Sequence, residues 1–375
     1  MLSASFYPYA GGAERQALEL SKFLQRAGVK VRVLTRRIAG LPDKEIIQGI
    51  SVFRLWSPGR NLLNSIAFMF SSFVYLAVHR MEYGIIHVHL ASSPLLVACL
   101  IGQLYGKKVF VKPGRGRGLG EVALSRKTLQ GRIKLKLLSL WKPKLLTLST
   151  DIVAELREAN IRGIPVIPFR NGVDTEVFIP VSRAEKRIIR NRLGIHDCRL
   201  FIFVGRLVPE KHVSEFLKVW AECVSASGQK DRTGLLIVGE GCEELNLKTL
   251  SCRLGVNDIV FFAGGKSDPV PYYQAADIFV LPSVSEGLSN AMLEAMSCGL
   301  AVLASRVGAA GDLVTDGENG FLFAPADENA LREYINMFLA ENNSAESMGA
   351  RSRQKVVGSY SMQRVVEELV VIYKN

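Results

Sequence analysis

Short apolar runs alternate along the whole chain with longer stretches whose apolar residues recur every three or four positions. Residues 85–90, 200–204 and 278–281 are near-continuous apolar runs, each bounded by a Gly or a Pro. That is the pattern of strands buried on both faces in a parallel sheet. Residues 29–35 alternate in the manner of a half-buried strand, and strands are also predicted at 2–6, 49–55, 108–112, 145–149, 235–241 and 300–304. Between them lie helical stretches. Residues 13–27 put Ala17, Leu20 and Leu24 on one face, and Gly28 stops the helix. Further helices are predicted at 62–78, 125–146 and 151–160, and after His212. Another starts at Ser289 or Asn290, both good N-caps, and stops at Cys298-Gly299. The β-loop-α-β grammar of the first 35 residues returns beyond residue 200, so the expected class is α/β with parallel sheets.

A length of 375 residues suits two domains, and 48% hydrophobic residues supply a core for each. The six Cys, at 99, 198, 223, 242, 252 and 298, are scattered without paired metal spacing. This fits a reducing cytoplasm, and the opening residues show no secretory leader pattern. Residues 62–78 are uncharged and sit at the lower limit for a membrane span, but Asn64, Ser65, Ser71 and Ser72 interrupt them. A buried or partly interfacial helix is expected there. Through Thr175 the chain carries 26 Lys and Arg against 10 Asp and Glu; the remainder carries 21 against 25. Such asymmetry points the first half at an anionic partner, nucleic acid or a membrane surface, or else is a solvated basic face. Few aromatic side chains lie among the cations to stack bases, which disfavours nucleic acid. Residues 125–146 mix Leu, Ile and Trp141 with seven Lys and Arg and end near Pro143. They read as a basic amphipathic helix suited to anionic lipid.

Candidate chemistry gathers at the predicted strand ends. Between the strands at 278–281 and 300–304 lie a loop with Glu286 and a helix with Glu294. The backbone N–H groups of Leu288 to Ala291 open that helix and favour a phosphate without any cationic side chain. Arg206 and Lys211 flank another loop after a strand, an arrangement that suits two phosphates, Arg by bidentate bonding and Lys as a point charge. Gly11-Gly12 before the first helix allows close approach of a ligand. His87 and His89 point to one face, and no third metal ligand lies nearby in sequence. A loop of alternating Gly and Arg, with Arg115 and Arg117, follows Lys112-Pro113. Gly265-Lys266-Ser267 imitates the end of a P-loop, but the Gly required at 260 is Val260, which excludes that reading.

The string EGLSNAMLEAM, with its two Glu eight apart, resembles the signature of retaining glycosyltransferases of family 4, which have the GT-B fold. GRLVPEK (205–211) is similar to a second signature of that family, and GGAER and NGVD agree with it. The resemblance covers nearly the whole chain. It implies two Rossmann-like β/α/β domains facing a cleft: 1–172 for the acceptor, 173–360 for a nucleoside-diphosphate sugar, and a helix at 361–375 returning to the first. It implies that Glu286 contacts the donor sugar, that Glu294 contacts the ribose, and that Gly287, Leu288, Ser289 and Asn290 hold the diphosphate. Arg206 and Lys211 would stabilise the leaving diphosphate, and the backbone at Gly264, Gly265 and Lys266 would lie by the nucleobase. Gly11 and Gly12 would also belong to the donor site. His89, Lys112, Arg115 and Arg117 would contact acceptor or sugar, with Lys112 standing where many members have a His. The opening strand is shorter than is usual in the family.

No D-x-D occurs, so a metal bridging the phosphates is not expected, and no cofactor is required beyond the sugar nucleotide as co-substrate. The expected reaction is retaining transfer to a hydroxyl of a glycan or lipid-linked acceptor in bacterial surface polysaccharide or glycolipid synthesis, in the cytoplasm at the inner face of the cell membrane. The rival readings are an epimerase-like enzyme of the same fold, acting on the sugar nucleotide alone, and a non-enzymatic basic binding module.

Overall fold

The computed structural model describes the chain apart from residues 9, 10, 60, 91–93, 115–124, 126, 127, 149, 160, 162 and 341–343. It forms two compact units, Met1–Gly172 with Met362–Asn375, and Val173–Ser361.

The first unit is built on strands β1 (Leu2–Ser3), β2 (Arg32–Arg36), β3 (Lys44–Ile47), β4 (Ile50–Leu55), β5 (Ile85–His89), β6 (Lys108–Lys112), β7 (Lys144–Thr147) and β8 (Val166–Pro168). Their order in the sheet is β3-β4-β2-β1-β5-β6-β7-β8, parallel except for β3 against β4. Helices α1 (Gly12–Arg26), α2 (Asn61–Val78), α3 (Pro94–Tyr105), α4 (Leu129–Trp141) and α5 (Thr150–Glu158) connect them. Because side chains alternate across a strand, Ile86, Val88, Val109 and Val111 share one face and pack with Phe68, Leu76, Leu95 and Ile101 of α2 and α3. His87 and Phe110 take the opposite face, where they meet Tyr373 of the C-terminal helix (Met362–Lys374).

The second unit has β9 (Arg199–Val204), β10 (Thr233–Val238), β11 (Val260–Gly264), β12 (Ile278–Leu281), β13 (Ala301–Ser305) and β14 (Gly320–Phe323). The order is β11-β10-β9-β12-β13-β14, all parallel. That is the doubly wound arrangement whose strand order reverses beside the first strand. Helices α6 (Arg183–Arg192), α7 (Val213–Ser227), α8 (Glu244–Arg253), α9 (Val270–Ala275), α10 (Asn290–Ser297), α11 (Ala310–Leu313), α12 (Glu328–Leu339) and α13 (Ser344–Ser359) surround the sheet. Ser182 and Glu185 form a reciprocal capping box that starts α6. The Asp277 carboxylate then ties α6 to the sheet, accepting from Lys186 at 2.8 Å, Arg190 at 2.7 Å and the Leu200 N–H at 2.9 Å.

Two elements depart from their sequence-based bounds. The strand predicted at 2–6 ends at Ser3, because the Ser3 hydroxyl donates to the Ser5 carbonyl at 2.7 Å and turns the chain out of the ladder. Of the helix predicted at 125–146, the stretch described as one helix is Leu129–Trp141, with residues 126 and 127 outside the described residues. Thr128 caps its start by accepting from the Gly131 N–H at 3.1 Å, and Lys142, in the left-handed region before Pro143, ends it. Among the described residues, no helix is long and apolar enough to cross a membrane.

Candidate active site

In open α/β sheets, ligands bind beyond the carboxyl ends of the strands where the strand order reverses. In the second unit that point lies between β9 and β12. The loop after β9 carries Arg206 and Lys211; the loop after β12 carries Glu286. The Val284 N–H donates to the Glu210 carbonyl at 3.0 Å and holds the two loops together. The Lys211 ammonium donates to Glu286 Oε1, and the Ser283 hydroxyl donates to the same oxygen at 3.0 Å. Both ends of that ion pair are largely buried, at 15% and 13% side-chain exposure, so the carboxylate is fixed in place. Arg206 is 58% exposed and touches Glu210 only at 3.7 Å, so its guanidinium is free to swing onto a ligand.

Gly287, Leu288, Ser289 and Asn290 run from that loop into α10. Ser289 is the N-cap, its hydroxyl accepting from the Met292 N–H at 3.3 Å. The start of the helix carries the positive end of the helix dipole, which favours an anion in front of it. Glu294, one turn on, is buried, and its Oε2 accepts the Tyr273 hydroxyl at 2.8 Å. Gly264 ends β11 at the same edge of the sheet, and Gly265 follows it. The Gly264 carbonyl accepts from Gly239 at 2.9 Å, and a side chain on Gly265 would press on the Glu240 carboxylate. Lys266 extends over the Tyr272 ring, 5.8 Å from its centre.

Several supporting residues were not singled out from the sequence. Ser283 and Tyr273 hold the two carboxylates. Gly308 has φ +56°, and a Cβ there would stand 2.2 Å from the Gly287 carbonyl oxygen and 2.5 Å from that of Glu286. Its neighbour Ala309 donates to the Gly287 carbonyl at 2.8 Å, so this turn buttresses the Glu286 loop. A Gly just past a strand end was the only available signal for Gly308. Nothing local marked Tyr273.

In the first unit, Gly11 is the N-cap of α1 and Gly12 its first residue. Glu14 folds back over this helix start and accepts the Ser5 hydroxyl. Ser3, His89 and Lys112 are register partners across β1, β5 and β6, a row at the carboxyl edge beside the point where this sheet reverses order. His89 and Lys112 are buried. Burial draws the Lys112 ammonium down to about 7. His87 and His89 stack at 4.6 Å, and His87 Nδ1 faces the Tyr373 hydroxyl. Burial holds both imidazoles well below their usual range, helped by the charge on Lys112. Each has an Nε2 without a hydrogen bond. Arg115 and Arg117 lie outside the described residues.

Two sequence families match in tandem. "Glycosyltransferase Family 4" matches residues 10–177, and "Glycosyl transferases group 1" matches residues 185–355. N-acetyl-alpha-D-glucosaminyl L-malate synthase of Bacillus anthracis is 23% identical over 98% of this chain and 94% of its own. The structure of Anabaena HepE in complex with UDP-glucose superposes with TM-score 0.80 at 18% identity, covering 100% of this chain and 98% of that one. Sucrose-phosphate synthase of Thermosynechococcus elongatus also gives TM-score 0.80, at 24% identity, over 100% and 98%. These neighbours have the GT-B fold, and the two units described above have it too.

Proposed function

This chain belongs to glycosyltransferase family 4, and we propose that it moves a sugar, with retention and without a metal, from a nucleoside diphosphate to a hydroxyl of a glycan or lipid-linked acceptor. One observation carries the reading. Arg206, Lys211, Glu286 and the start of α10 converge on adjoining loops where the second sheet reverses order. Three of these four favour an anion, and the fourth is a carboxylate held rigidly beside them.

The donor diphosphate would sit on the N–H groups from Gly287 to Asn290, with Glu294 toward the ribose and the backbone of Gly264 to Lys266 toward the base. Gly11 and Gly12 would complete the donor contacts from the first unit. As the anomeric C–O bond breaks, negative charge builds on the β-phosphate. Arg206, Lys211 and the helix start would stabilise that charge, an electrostatic contribution of about 3 kcal/mol per well-placed donor. The acceptor hydroxyl attacks from the face the phosphate leaves, and its proton passes to the departing phosphate oxygen. Glu286 orients and polarises the sugar and is not a nucleophile. In the first unit, His89, Lys112, Arg115 and Arg117 would read the acceptor. The excess of cations there fits contact with an anionic membrane at the cytoplasmic face. UDP-glucose on the Anabaena relative, and malate in the name of the Bacillus one, support a sugar nucleotide and a small or anionic acceptor without naming either for this chain.

Proton NMR of the product formed from an α-linked sugar nucleotide, in EDTA, tests the mechanism. An α-linked product supports it; a β-linked product, or turnover restored only by a divalent cation, overturns it. Turnover of the donor with no acceptor would favour the epimerase-like reading.

A further inference from the structure

Helix α2 has the wrong outside for a helix in water. Its surface positions Leu62, Ile66, Phe70, Val74 and Val78 follow one another at intervals of four and form a single ridge. Leu63 widens the ridge, and Phe70 and Val78 are 64% and 67% exposed. A surface helix normally turns polar residues outward. Here Ser72 is fully buried, its hydroxyl without a hydrogen bond, while the outer ridge is entirely apolar. The pattern continues sideways. α3 packs beside α2 and exposes Leu100 and Leu104; α4 packs beside α3 and exposes Ile133 and Leu140. Trp56, half exposed, borders the middle of α2, its carbonyl accepting from the Ser71 hydroxyl at 2.8 Å.

Among the described residues, cations dominate the charge around this surface. α2 and α3 contain no charged residue, and α4 contains Arg132, Lys134 and Lys136 and no acid. Arg80 follows α2 and lies over the Tyr105 ring at 5.7 Å; Lys107 follows α3 and lies over Tyr83 at 5.3 Å. Arg36 donates to the Ser65 hydroxyl at 3.2 Å. The nearest acid past the end of α2, Glu82, is already paired with Arg32.

We propose that α2 lies in the plane of an anionic bilayer, with its ridge sunk into the boundary between head groups and acyl chains and the cations of α4 and its neighbours on the lipid phosphates. This rests on the membrane-side reading of the first unit and names the element that inserts. A bilayer accepts a convex ridge without a complementary groove, and its phosphates match the cationic surround. A second copy of the chain would bring the same cations face to face. With 18 residues and no charge, α2 adheres along its length and does not span. Exposed aromatic residues such as Trp56 and Tyr105 suit the interface.

The test is flotation of the full chain with phosphatidylcholine vesicles, with and without phosphatidylglycerol. It uses wild type, Phe70→Glu with Val74→Glu, and Arg132→Ala with Lys136→Ala. Removing two apolar anchors is expected to lower partitioning by more than about tenfold, with an unchanged thermal shift from the sugar nucleotide. In a Phe70→Trp variant, which removes no anchor, the emission of the introduced indole is expected to blue-shift and to be quenched by brominated acyl chains. Loss of binding only in the Arg132 and Lys136 variant, with the introduced indole unquenched, overturns ridge insertion and leaves the membrane-side reading standing. No flotation of wild type overturns both. A wild-type dimer that becomes a monomer on Phe70→Glu assigns the ridge to a second copy and overturns the lipid proposal. The sugar-nucleotide shift reports separately on the donor site in every case.

Discussion

The two units share a sheet plan and differ in how they treat charge and apolar surface. The second unit neutralises what it buries: Lys211 with Glu286, and Asp277 with Lys186 and Arg190. The first unit, with 28 Lys and Arg against 11 Asp and Glu, buries Lys112 and His89 beside one another and leaves an apolar ridge on its surface. A site whose polar groups are already fixed suits one invariant ligand. In the first unit, the buried His87 and His89 each leave an Nε2 without a hydrogen bond. The contrast fits the proposal that the sugar nucleotide lies on the second unit and that the acceptor and the membrane surface lie on the first.

The largest effect should come from the charge that meets the leaving group. Arg206→Ala is expected to lower kcat by about 10²–10³-fold and to leave the thermal midpoint unchanged, because the side chain is exposed. Steady-state kinetics with a midpoint measurement check both halves. Lys211→Met should lose transfer as well, and in addition about 3 kcal/mol of stability, because Glu286 is left buried and unpaired. Adding Glu286→Gln should restore the midpoint and not the transfer. Restoration of both would contradict the chemical role of the pair.

Gly308→Ala follows. Its Cβ would collide with the Glu286 and Gly287 carbonyls at a φ of +56°, a strain of about 1–3 kcal/mol. Donor affinity should fall more than stability, which calorimetric titration against chemical denaturation resolves. Ser289→Ala should cost about 1 kcal/mol through the lost cap.

The smallest effect concerns pH: stability rises with pH in both units, but over different ranges. Burial alone would raise the Asp277 carboxyl, but Lys186 and Arg190 hold it below its usual value. Its contribution to stability is therefore present above the ordinary carboxylate range and lost as pH falls through the lowered value. Lys112 works on the alkaline side. Its folded value of about 7 lies below the ordinary 10.5, so the unfolded chain binds the extra proton between them and stability rises with pH across that interval. Lys112→Met should flatten that rise and increase the midpoint at pH 7, while Asp277→Asn removes the acid-side loss. Thermal melts across pH distinguish the two.

How far the molecule is legible in its sequence follows the same division. The buried parallel strands stood out as apolar runs closed by Gly or Pro, and the Arg206, Lys211 and Glu286 loops were marked by composition at the ends of those strands. What assembles them was not marked. Tyr273 reaches Glu294 through a helix contact 21 residues away, and Gly308 buttresses Glu286 from the far side of β13. Such partners follow from sheet order, which local periodicity does not contain. For α2, hydropathy set the ends closely but could not choose between burial and an interface. That choice depends on which side of the helix meets the sheet, and the ridge from Leu62 to Val78, spaced every four residues, emerges only once Phe68 and Leu76 are seen to pack inward.

The central claim is that the second unit holds a sugar nucleotide on the Arg206, Lys211 and Glu286 loops. The most direct measurement is a thermal-shift titration of wild type and Arg206→Ala with UDP-, GDP- and ADP-sugars in EDTA. Ligand that binds only the folded chain raises the midpoint. The account predicts a shift of wild type with one nucleotide class and a much smaller shift of the variant at the same concentration. No shift of wild type with any of the three, or an equal shift of the variant, would contradict it.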